Sequence, residues 1–424
     1  MSTTVKTPAT NENIIRALRD MNPNTRIPDP IKNSIEGIYD EILNVEPVRN
    51  EFIASLIGRI ALTQINASYF KNPLTALKTD PMRYGLTEQE IFVNMIKGKT
   101  FDAFAGTNEL FAFYDSNVMS AYHKVNPAIQ YPLTITYDNL RMAFTSDYGI
   151  RDLINAKVQA VYASAEYDEY LTMKMLIESA YEKGQLYNVQ VSGNNDSAAA
   201  RELTIAMKSY INQMKFPHPE YNIAGATSSA LENGIYYMVT PEMDAVLDVD
   251  VLATAFHDNK VDITAHKIIV DKFANTEIKA VLFDMRWFKV RENFRTMSDS
   301  RNGAALTWNY FYTLSQMYSY SPFFPMIIFT TEQNAAETIT VENATASKAT
   351  TVEIKAKATN TGDTGYVSQV FDYTVSGNKS AFTKFIPGSN ILSIGNDEKA
   401  TTLTVTVTSR TDSTVSGTGT VTIS

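Results

Sequence analysis

Residues 152–183 read DLINAKVQAVYASAEYDEYLTMKMLIESAYEK, and this stretch predicts the element that organises the fold. Its apolar residues recur three and four positions apart, as one face of an amphipathic helix requires. Lys183 lies in the last turn, and Gly184 follows as the expected C-cap. At about 1.5 Å per residue the helix would be roughly 45 Å long. Because that is well over twice the usual helix length, we expect the helix to act as a spine.

The chain before this helix begins with an arm and two helices. Residues 1–30 contain several prolines and few apolar residues, with one short helix predicted over 11–21. Further helices are predicted over 31–43 and 47–62 from apolar positions at helical spacing.

The segment 66–148 has no sustained periodicity. It holds aromatics, scattered glycines and short alternating pieces such as YPLTITY, which favour a long excursion with β-hairpin character over a packed helical unit. Long irregular excursions in an ordered protein are often functional. After the spine, a mixed segment is predicted, with a helix over 195–214 and strands at 235–239, 268–270, 280–284 and 310–320.

The composition changes near Asn334. Beyond it Ser and Thr are abundant, Met, Trp and His are absent, and Leu403, Val405 and Val407 alternate with threonines. This period-two pattern, interrupted by Gly-Asn and Gly-Ser turn signals, predicts a small all-β sandwich of about 90 residues. Since the segment has no tryptophan, we expect its core to pack around Phe and Tyr, with 371–375 as a core strand.

Length and charge limit the class of protein. The 424 residues suggest two or three domains, and 44% apolar residues are enough to bury cores of ordinary size. A net charge of −9 argues against a general nucleic-acid binder, which needs a basic face. The chain has no cysteine, which excludes disulfides, thiol catalysis and thiolate metal sites and suits a reducing cytoplasm.

Targeting signals are not apparent in the sequence. The first residues, MSTTVKTPATNENI, lack the apolar run of a signal peptide, and no stretch approaches the ~20 apolar residues that a membrane span needs. We therefore expect a soluble protein made inside the cell, with no membrane partner.

No pattern predicts a catalytic, cofactor-binding or metal site. The run MDAVLDVDVLATAF at 243–256 interleaves acids with apolar residues, unlike a calcium loop with its glycine bend. Ser164 lies mid-helix, outside any Gly-x-Ser-x-Gly elbow, and the glycine-rich turns lack a phosphate-binding context. None of the four histidines has a metal-ligand spacing, so we interpret them as surface or hydrogen-bonded side chains: His123, His218, His257 and His266.

Aromatic residues are unusually abundant, with 23 Tyr and 21 Phe. They are densest between Trp308 and Phe324. Two interpretations are open, a sugar-binding platform and packing in a core or a subunit interface. We favour packing, because tyrosine and phenylalanine are enriched at interfaces.

Several long stretches, in order, resemble the major head protein of the phi-29-like podophages. They are VRNEFIASLIGRIALTQINASYFKNPL at 48–74, YASAEYDEYLTMKMLIESAYEKG at 162–184, LDVDVLATAF at 247–256, FANTEIKAVLFDMRWFKVRENF at 273–294 and WNYFYTLSQMYSYSPF at 308–323. The tail piece ILSIGNDEKATTLTVTVTS at 391–409 resembles that family's bacterial immunoglobulin-like domain of group 2. The resemblance covers nearly the whole chain and is weakest over 80–125.

The resemblance implies an α+β protein with the Hong Kong 97-like capsid fold and a C-terminal all-β immunoglobulin-like sandwich. The chain would then divide into an N-terminal arm with helices at 1–65, an extended loop with peripheral-domain strands at 66–148, the spine helix at 149–189, an axial domain at 190–275, a return to the peripheral domain at 276–333 and the immunoglobulin-like domain at 334–424.

The implied function is structural. As a major capsid protein, the chain would self-assemble in the host cytoplasm, as hexamers and pentamers, into an icosahedral or prolate phage head around double-stranded DNA. A scaffolding protein, a portal and non-specific contact with packaged DNA on the inner face are the implied partners. The immunoglobulin-like domain would decorate the outside, to stiffen the lattice or to contact host-surface sugars.

Three alternatives stay open at this point. A secreted glycan-active or glycan-binding protein with an immunoglobulin-like module should have a signal peptide. A phage tail-tube protein should be mostly β before the appended domain, which the predicted spine helix argues against. Covalent cross-linking of subunits would need a Lys, an Asn and a Glu brought together; Lys97 and Lys99 lie in the loop segment, and nothing marks their partners.

Overall fold

The computed structural model describes residues 10–21, 25–29, 35–62, 70–82, 85–96, 98, 117–145, 149–193, 197–247, 265–335, 337–362 and 365–424. Its helices are α1 (Asn11–Met21), α2 (Ile35–Asn44), α3 (Glu46–Leu62), α4 (Tyr137–Ala143), α5 (Gly149–Glu182) and α6 (Ser197–Met214), with 3-10 turns at Pro73–Leu77 and Met285–Trp287.

In the described part of the chain, ten strands precede residue 331. They are β1 (Thr87–Val93), β2 (Val118–Lys124), β3 (Ile129–Thr136), β4 (Tyr187–Gln190), β5 (Ile235–Val239), β6 (His266–Ile269), β7 (Ile278–Asp284), β8 (Phe288–Asn302), β9 (Thr307–Tyr320) and β10 (Met326–Thr330).

The described residues from 337 onward form strands and turns, which we call the C-terminal β region (337–424). Its strands are β11 (Glu337–Val341), β12 (Ala344–Ala346), β13 (Thr351–Glu353), β14 (Ala356–Asn360), β15 (Phe371–Ser376), β16 (Lys384–Phe385), β17 (Ile391–Ser393), β18 (Thr402–Ser409) and β19 (Ser416–Ile423).

The long helix predicted over 152–183 is α5, which has 34 residues. It ends as predicted, because Gly184 adopts a left-handed φ of 67° and its N–H bonds to the carbonyl of Tyr181 at 2.8 Å. The N–H of Gln185 reaches the carbonyl of Ala180 at 3.0 Å, which completes the C-terminal cap.

A five-stranded sheet with the order β4-β10-β7-β5-β6 lies against α5. Alternate residues of β7 point to opposite faces: Val281 and Phe283 pack with α5, whereas Ala280 and Leu282 pack with α6. Because both faces are covered, β10 is buried throughout, and its sequence MIIFT is a continuous apolar run. The sheet and the two helices thus make a three-layered α+β core.

A second sheet, β3-β9-β8, buries the aromatic block of β9. Trp308 and Tyr310 pack with the apolar faces of α1, α2 and α3, and Tyr312 packs beside α5. Trp308 and Tyr310 are each 4% exposed. In the described residues this block is therefore core, as favoured above, and is not available as a flat sugar-binding platform.

Most predicted elements are confirmed within a few residues. Helix α6 begins two residues after the predicted start, β5 has the predicted bounds, and β9 begins three residues earlier than predicted. The sequence analysis missed β4, β8, β10 and α4. Over its second half β8 is mostly exposed, so it carries no alternating apolar signal.

The C-terminal β region packs its sheets, β12-β19-β18-β15, β13-β17-β16 and β11-β14, around one core. Leu403, Val405 and Val407 are fully buried, as the period-two pattern predicts. The expectation of a core built around Phe and Tyr is wrong, because the core is mainly Ile, Leu and Val. Phe371 is buried in it, and Tyr373 packs only at its margin.

Glu398 is a fully buried carboxylate that ties the turns of the C-terminal β region together. It accepts backbone N–H groups from Lys379 at 2.8 Å, Ser380 at 3.2 Å, Lys399 at 2.9 Å and Ala400 at 2.9 Å. Burial alone would raise the pKa of Glu398, but these N–H groups and the Thr383 hydroxyl outweigh burial and lower it to about 2.

We expect Glu398→Gln to destabilise the C-terminal β region by about 2–4 kcal/mol, since the new amide N–H₂ would face backbone donors and leave them unpaired. In the wild-type protein, the stabilisation provided by the Glu398 carboxylate should be complete above the pKa of the unfolded state, near ~4.3. It should be lost as the pH falls toward the folded-state pKa of about 2. Amide hydrogen exchange at Lys379 and Ala400 measures the effect. The exposed Glu342→Gln is the control, and equal protection in both variants would refute the assignment.

Candidate functional site

Strands β1 and β2 form an antiparallel hairpin that stands on the second sheet. Its register pairs Thr87 with Lys124, Glu90 with Ala121 and Val93 with Val118. Alternation places Glu88, Glu90 and Phe92 on the face toward the body, which we call the underside. The sequence analysis placed a β-hairpin excursion in this segment; Lys97 and Lys99 lie outside the described residues.

The underside is held mainly by charged side chains. Glu90 contacts Lys289 at 2.8 Å, and Glu88 contacts Arg291 at 2.9 Å. His123, which is 3% exposed, lies between Glu90 at 3.1 Å and the Ser319 hydroxyl at 2.8 Å. The interpretation of His123 as a hydrogen-bonded histidine is therefore confirmed. Ionic contacts of this kind fix the orientation of the hairpin while adding little apolar burial.

A small apolar cluster supports the far end of the hairpin. Met119 and Phe92 pack against Ala224, Ala226 and Phe323. The rings of Phe92 and Phe323 stack with their centroids 5.6 Å apart. The hairpin thus contacts both the β8–β9 sheet and the loop that follows α6.

The opposite face of the hairpin, which we call the outer face, is exposed and carries apolar side chains between polar ones such as Gln89 and Ser120. Ile91 is 60% exposed, Val93 is 59% exposed and Tyr122 is 64% exposed. Val118, opposite Val93, adds to the same face. Exposed apolar side chains grouped on one face of a fixed element are typical of a protein–protein contact surface.

Glu90 gives the hairpin a pH-dependent attachment. Burial alone would raise the pKa of Glu90, but hydrogen bonds from His123, Lys289 and Ser321 and the charge of Lys289 outweigh burial and lower it. A carboxyl with a lowered pKa stabilises the folded state fully above its unfolded pKa, near ~4.3, and loses that effect as the pH falls through the folded value.

We expect Glu90→Gln to lower the free energy of unfolding by about 1–3 kcal/mol at pH 7, because Lys289 keeps its charge without a carboxylate. Urea unfolding at pH 7 and at pH 3 should show the difference from wild type shrinking at the lower pH. Glu88→Gln in the same strand, whose pair with Arg291 is more exposed, should cost less than about 1 kcal/mol. A pH-independent difference would contradict this role for Glu90.

The mid-helix acids of α5 are structural in the described residues. Glu169 is 7% exposed and accepts from Asn72 at 2.9 Å, Lys78 at 2.8 Å and Gln316 at 2.7 Å. It thereby fastens the segment 70–82 and strand β9 to the long helix. Sequence reasoning could not find this role, because its partners lie about a hundred or more residues away.

The described residues contain neither a cluster of metal ligands nor a membrane-spanning helix. In the described ranges no three His, Asp or Glu side chains converge as a metal site would require. Asp244 pairs with Lys267 at 2.8 Å, and the remaining acids of that run, together with His257, lie outside the described residues. None of the described helices is sufficiently long and apolar to span a bilayer.

Comparison with known proteins identifies the family. A sequence profile of the Phi29-like phage major capsid protein matches residues 11–330. The chain belongs to this family. The major capsid protein of Bacillus phage PZA is 32% identical over 298 residues, which cover 70% of this chain and 66% of that protein, just under two thirds of its length. The major capsid protein of Bacillus phage B103 is 32% identical over 325 residues, covering 75% of this chain and 72% of that protein.

A solved structure supports the same conclusion at the level of the fold. The capsid structure of Staphylococcus phage Andhra matches with a TM-score of 0.51 at 12% identity, covering 63% of this chain and 87% of that one. The prediction of a member of a phage major capsid protein family is confirmed. The tail-tube and glycan-active alternatives are accordingly not favoured.

Proposed function

We propose that the chain self-assembles, as hexamers and pentamers, into the closed head that encloses phage double-stranded DNA. The observation that carries this proposal is the outer face of the β1–β2 hairpin, where exposed apolar side chains lie on an element anchored by partly buried charges. A shell repeats each contact many times, so that modest energies per contact add up to a stable closed assembly.

The proposal includes the Hong Kong 97-like arrangement. The arm would be 1–65, the extended loop 66–148, the spine 149–189, the axial domain 190–275 and the return to the peripheral domain 276–333. The length of α5, the hairpin that precedes it and the sheet that packs on it support these assignments. In this arrangement the outer face would lie on a neighbouring subunit.

We further propose that residues 334–424 are an immunoglobulin-like domain on the outside of the head. Strands β18 and β19 expose rows of Thr and Ser on one face and bury mainly aliphatic residues on the other, as in a sandwich sheet. Deleting 334–424 separates its two candidate roles: loss of shells indicates a stiffening role, and intact shells that lose host adsorption indicate contact with host-surface sugars.

The remaining partners follow from the same proposal. Assembly in the host cytoplasm would use a scaffolding protein and a portal, and the inner face would contact packaged DNA without sequence preference. A net charge of −9 favours weak contact, because strong binding would need many basic groups on phosphates. We expect no sub-micromolar binding of random duplex DNA by the purified subunit at physiological salt, measured by fluorescence polarisation; tighter binding would contradict the proposal.

Sedimentation velocity tests self-assembly directly. The purified full chain, alone and with a scaffolding protein of a related phage, should form species the size of rings or shells as its concentration rises. Sedimentation as a monomer under every condition would overturn the proposal.

A further inference from the structure

The C-terminal β region is attached to the body of the subunit by buried contacts in addition to the chain connection. Tyr366, which is 4% exposed, places its hydroxyl on the backbone of Leu186: it donates to the carbonyl at 2.7 Å and accepts from the N–H at 2.9 Å. Its ring stacks on Tyr181 of α5 with the centroids 5.0 Å apart. The N–H of Gln369 donates to the carbonyl of Gly184 at 2.8 Å.

Gly184 is required at this contact for a second reason. A Cβ at Gly184 would lie 2.5 Å from the carbonyl oxygen of Val367, so the backbones approach too closely for any other residue. The glycine that ends the long helix therefore also admits the C-terminal β region against the end of that helix.

Arg410 makes the second attachment. Its side chain is only 8% exposed, and it donates to the carbonyls of Asn222 at 2.9 Å and Ile223 at 3.1 Å in the loop after α6. On its own side it donates to the carbonyl of Phe371 at 3.1 Å and pairs with Asp372 at 2.9 Å. Charge-assisted hydrogen bonds to buried carbonyls are among the stronger contacts in proteins.

The third attachment reaches the hairpin. Gly388 lies against Met119 of β2 and against Ala224, because a Cβ at Gly388 would be 2.8 Å from the Met119 sulfur and 3.3 Å from the Ala224 Cβ. Met119 also packs in the apolar cluster that supports the hairpin. The turn that carries Gly388 therefore closes over the point where hairpin and loop meet.

We propose that the C-terminal β region is a fixed brace within its own subunit, which clamps the Met119 end of the β1–β2 hairpin and the loop at 222–226 against the end of α5. Three attachments to three separate elements define one orientation, whereas a tethered appendage would need none of them. The brace sets the position of the outer face before neighbouring subunits arrive, which reduces the ordering cost of assembly.

A disulfide tests the docking, since the chain contains no cysteine of its own. In the full chain, Ala224→Cys combined with Gly388→Cys, in a Met119→Ala background that removes the sulfur 2.8 Å from the new Cβ, would bring the two Cβ atoms to about 3.3 Å, close to the 3.5–4.5 Å of natural disulfides. We expect most molecules to form this bond under mild oxidation, in free subunits and in assembled particles, as measured by peptide mass mapping.

The matched control is Ala224→Cys with Thr402→Cys. Thr402 is exposed at the opposite end of β18 from Arg410, roughly 25 Å away at about 3.3 Å per residue. This pair should stay reduced. Gly388 has a left-handed φ of 70°, so the outcome is judged in variants whose amide exchange at 224–227 matches wild type. In those variants, absence of the 224–388 bond, or equal yields for the two pairs, would overturn the brace.

A second variant tests the effect on the hairpin without cysteines. Arg410→Met should raise amide exchange at 224–227 and at Met119 about tenfold or more, with Lys357→Met, an exposed site on β14, unchanged. Unchanged exchange in Arg410→Met would show that the Met119 end of the hairpin is held independently of the C-terminal β region, and would refute the proposal.

Discussion

Asp284→Ala is expected to destabilise the body of the subunit by about 2–4 kcal/mol, the cost of leaving two backbone N–H groups and the partly exposed Arg286 guanidinium without their acceptor. Asp284 is fully buried at the end of β7 and accepts from the N–H of Leu231 at 3.1 Å. It also accepts from the backbone N–H of Arg286 at 2.8 Å and from its guanidinium at 3.0 and 2.8 Å. The same guanidinium donates to the carbonyl of Ser229 at 2.7 Å.

The two residues thus join the end of the central sheet to the loop at 229–231, and removal of the carboxylate would leave buried donors unpaired. Urea unfolding followed by tryptophan fluorescence measures the effect on the body, since the two tryptophans, Trp287 and Trp308, both lie there. Asp299→Ala, an exposed position on β8, is the control and should change stability by less than about 0.5 kcal/mol. Equal effects of the two substitutions would contradict the assignment.

The second large effect is expected on assembly. Ile91→Lys with Val93→Lys should leave the subunit folded, because both side chains are largely exposed in it. The double substitution should raise the concentration needed for shell formation about a hundredfold or more. Each aliphatic side chain buried at a subunit contact contributes about 1.5–3 kcal/mol to the free energy of association, and a lysine would be buried in its place.

Thr87→Lys with Gln89→Lys adds the same charge on the same face without removing apolar groups, and should have a much smaller effect. Light scattering against subunit concentration, together with circular dichroism of the dilute subunit, separates failed assembly from failed folding. Normal assembly of the Ile91/Val93 variant would show that the outer face is not an inter-subunit contact.

The elements predictable from the sequence are those whose burial is one-sided and regular. Helix α5 carries a long apolar stripe and a glycine cap, and β18 alternates Thr with Leu and Val, so that both followed from periodicity. Strand β8 was not predicted because much of it is exposed, and α4 was not predicted because seven residues are too few for a helical period to show.

The candidate site was predictable only as a location. Alternation and the family resemblance pointed to a hairpin in 66–148, but not to the residues that anchor it. Glu90 meets Lys289, and Arg410 meets Asn222, across nearly two hundred residues of sequence. Ion pairs and backbone contacts of this kind leave no periodic signal, so that only the folded structure identifies them.

Electron microscopy of the full chain, expressed alone and with a scaffolding protein of a related phage, tests the central claim most directly. We predict closed shells or capsomer-like rings. Particles no larger than single subunits under both conditions, from protein that is folded by circular dichroism, would contradict it.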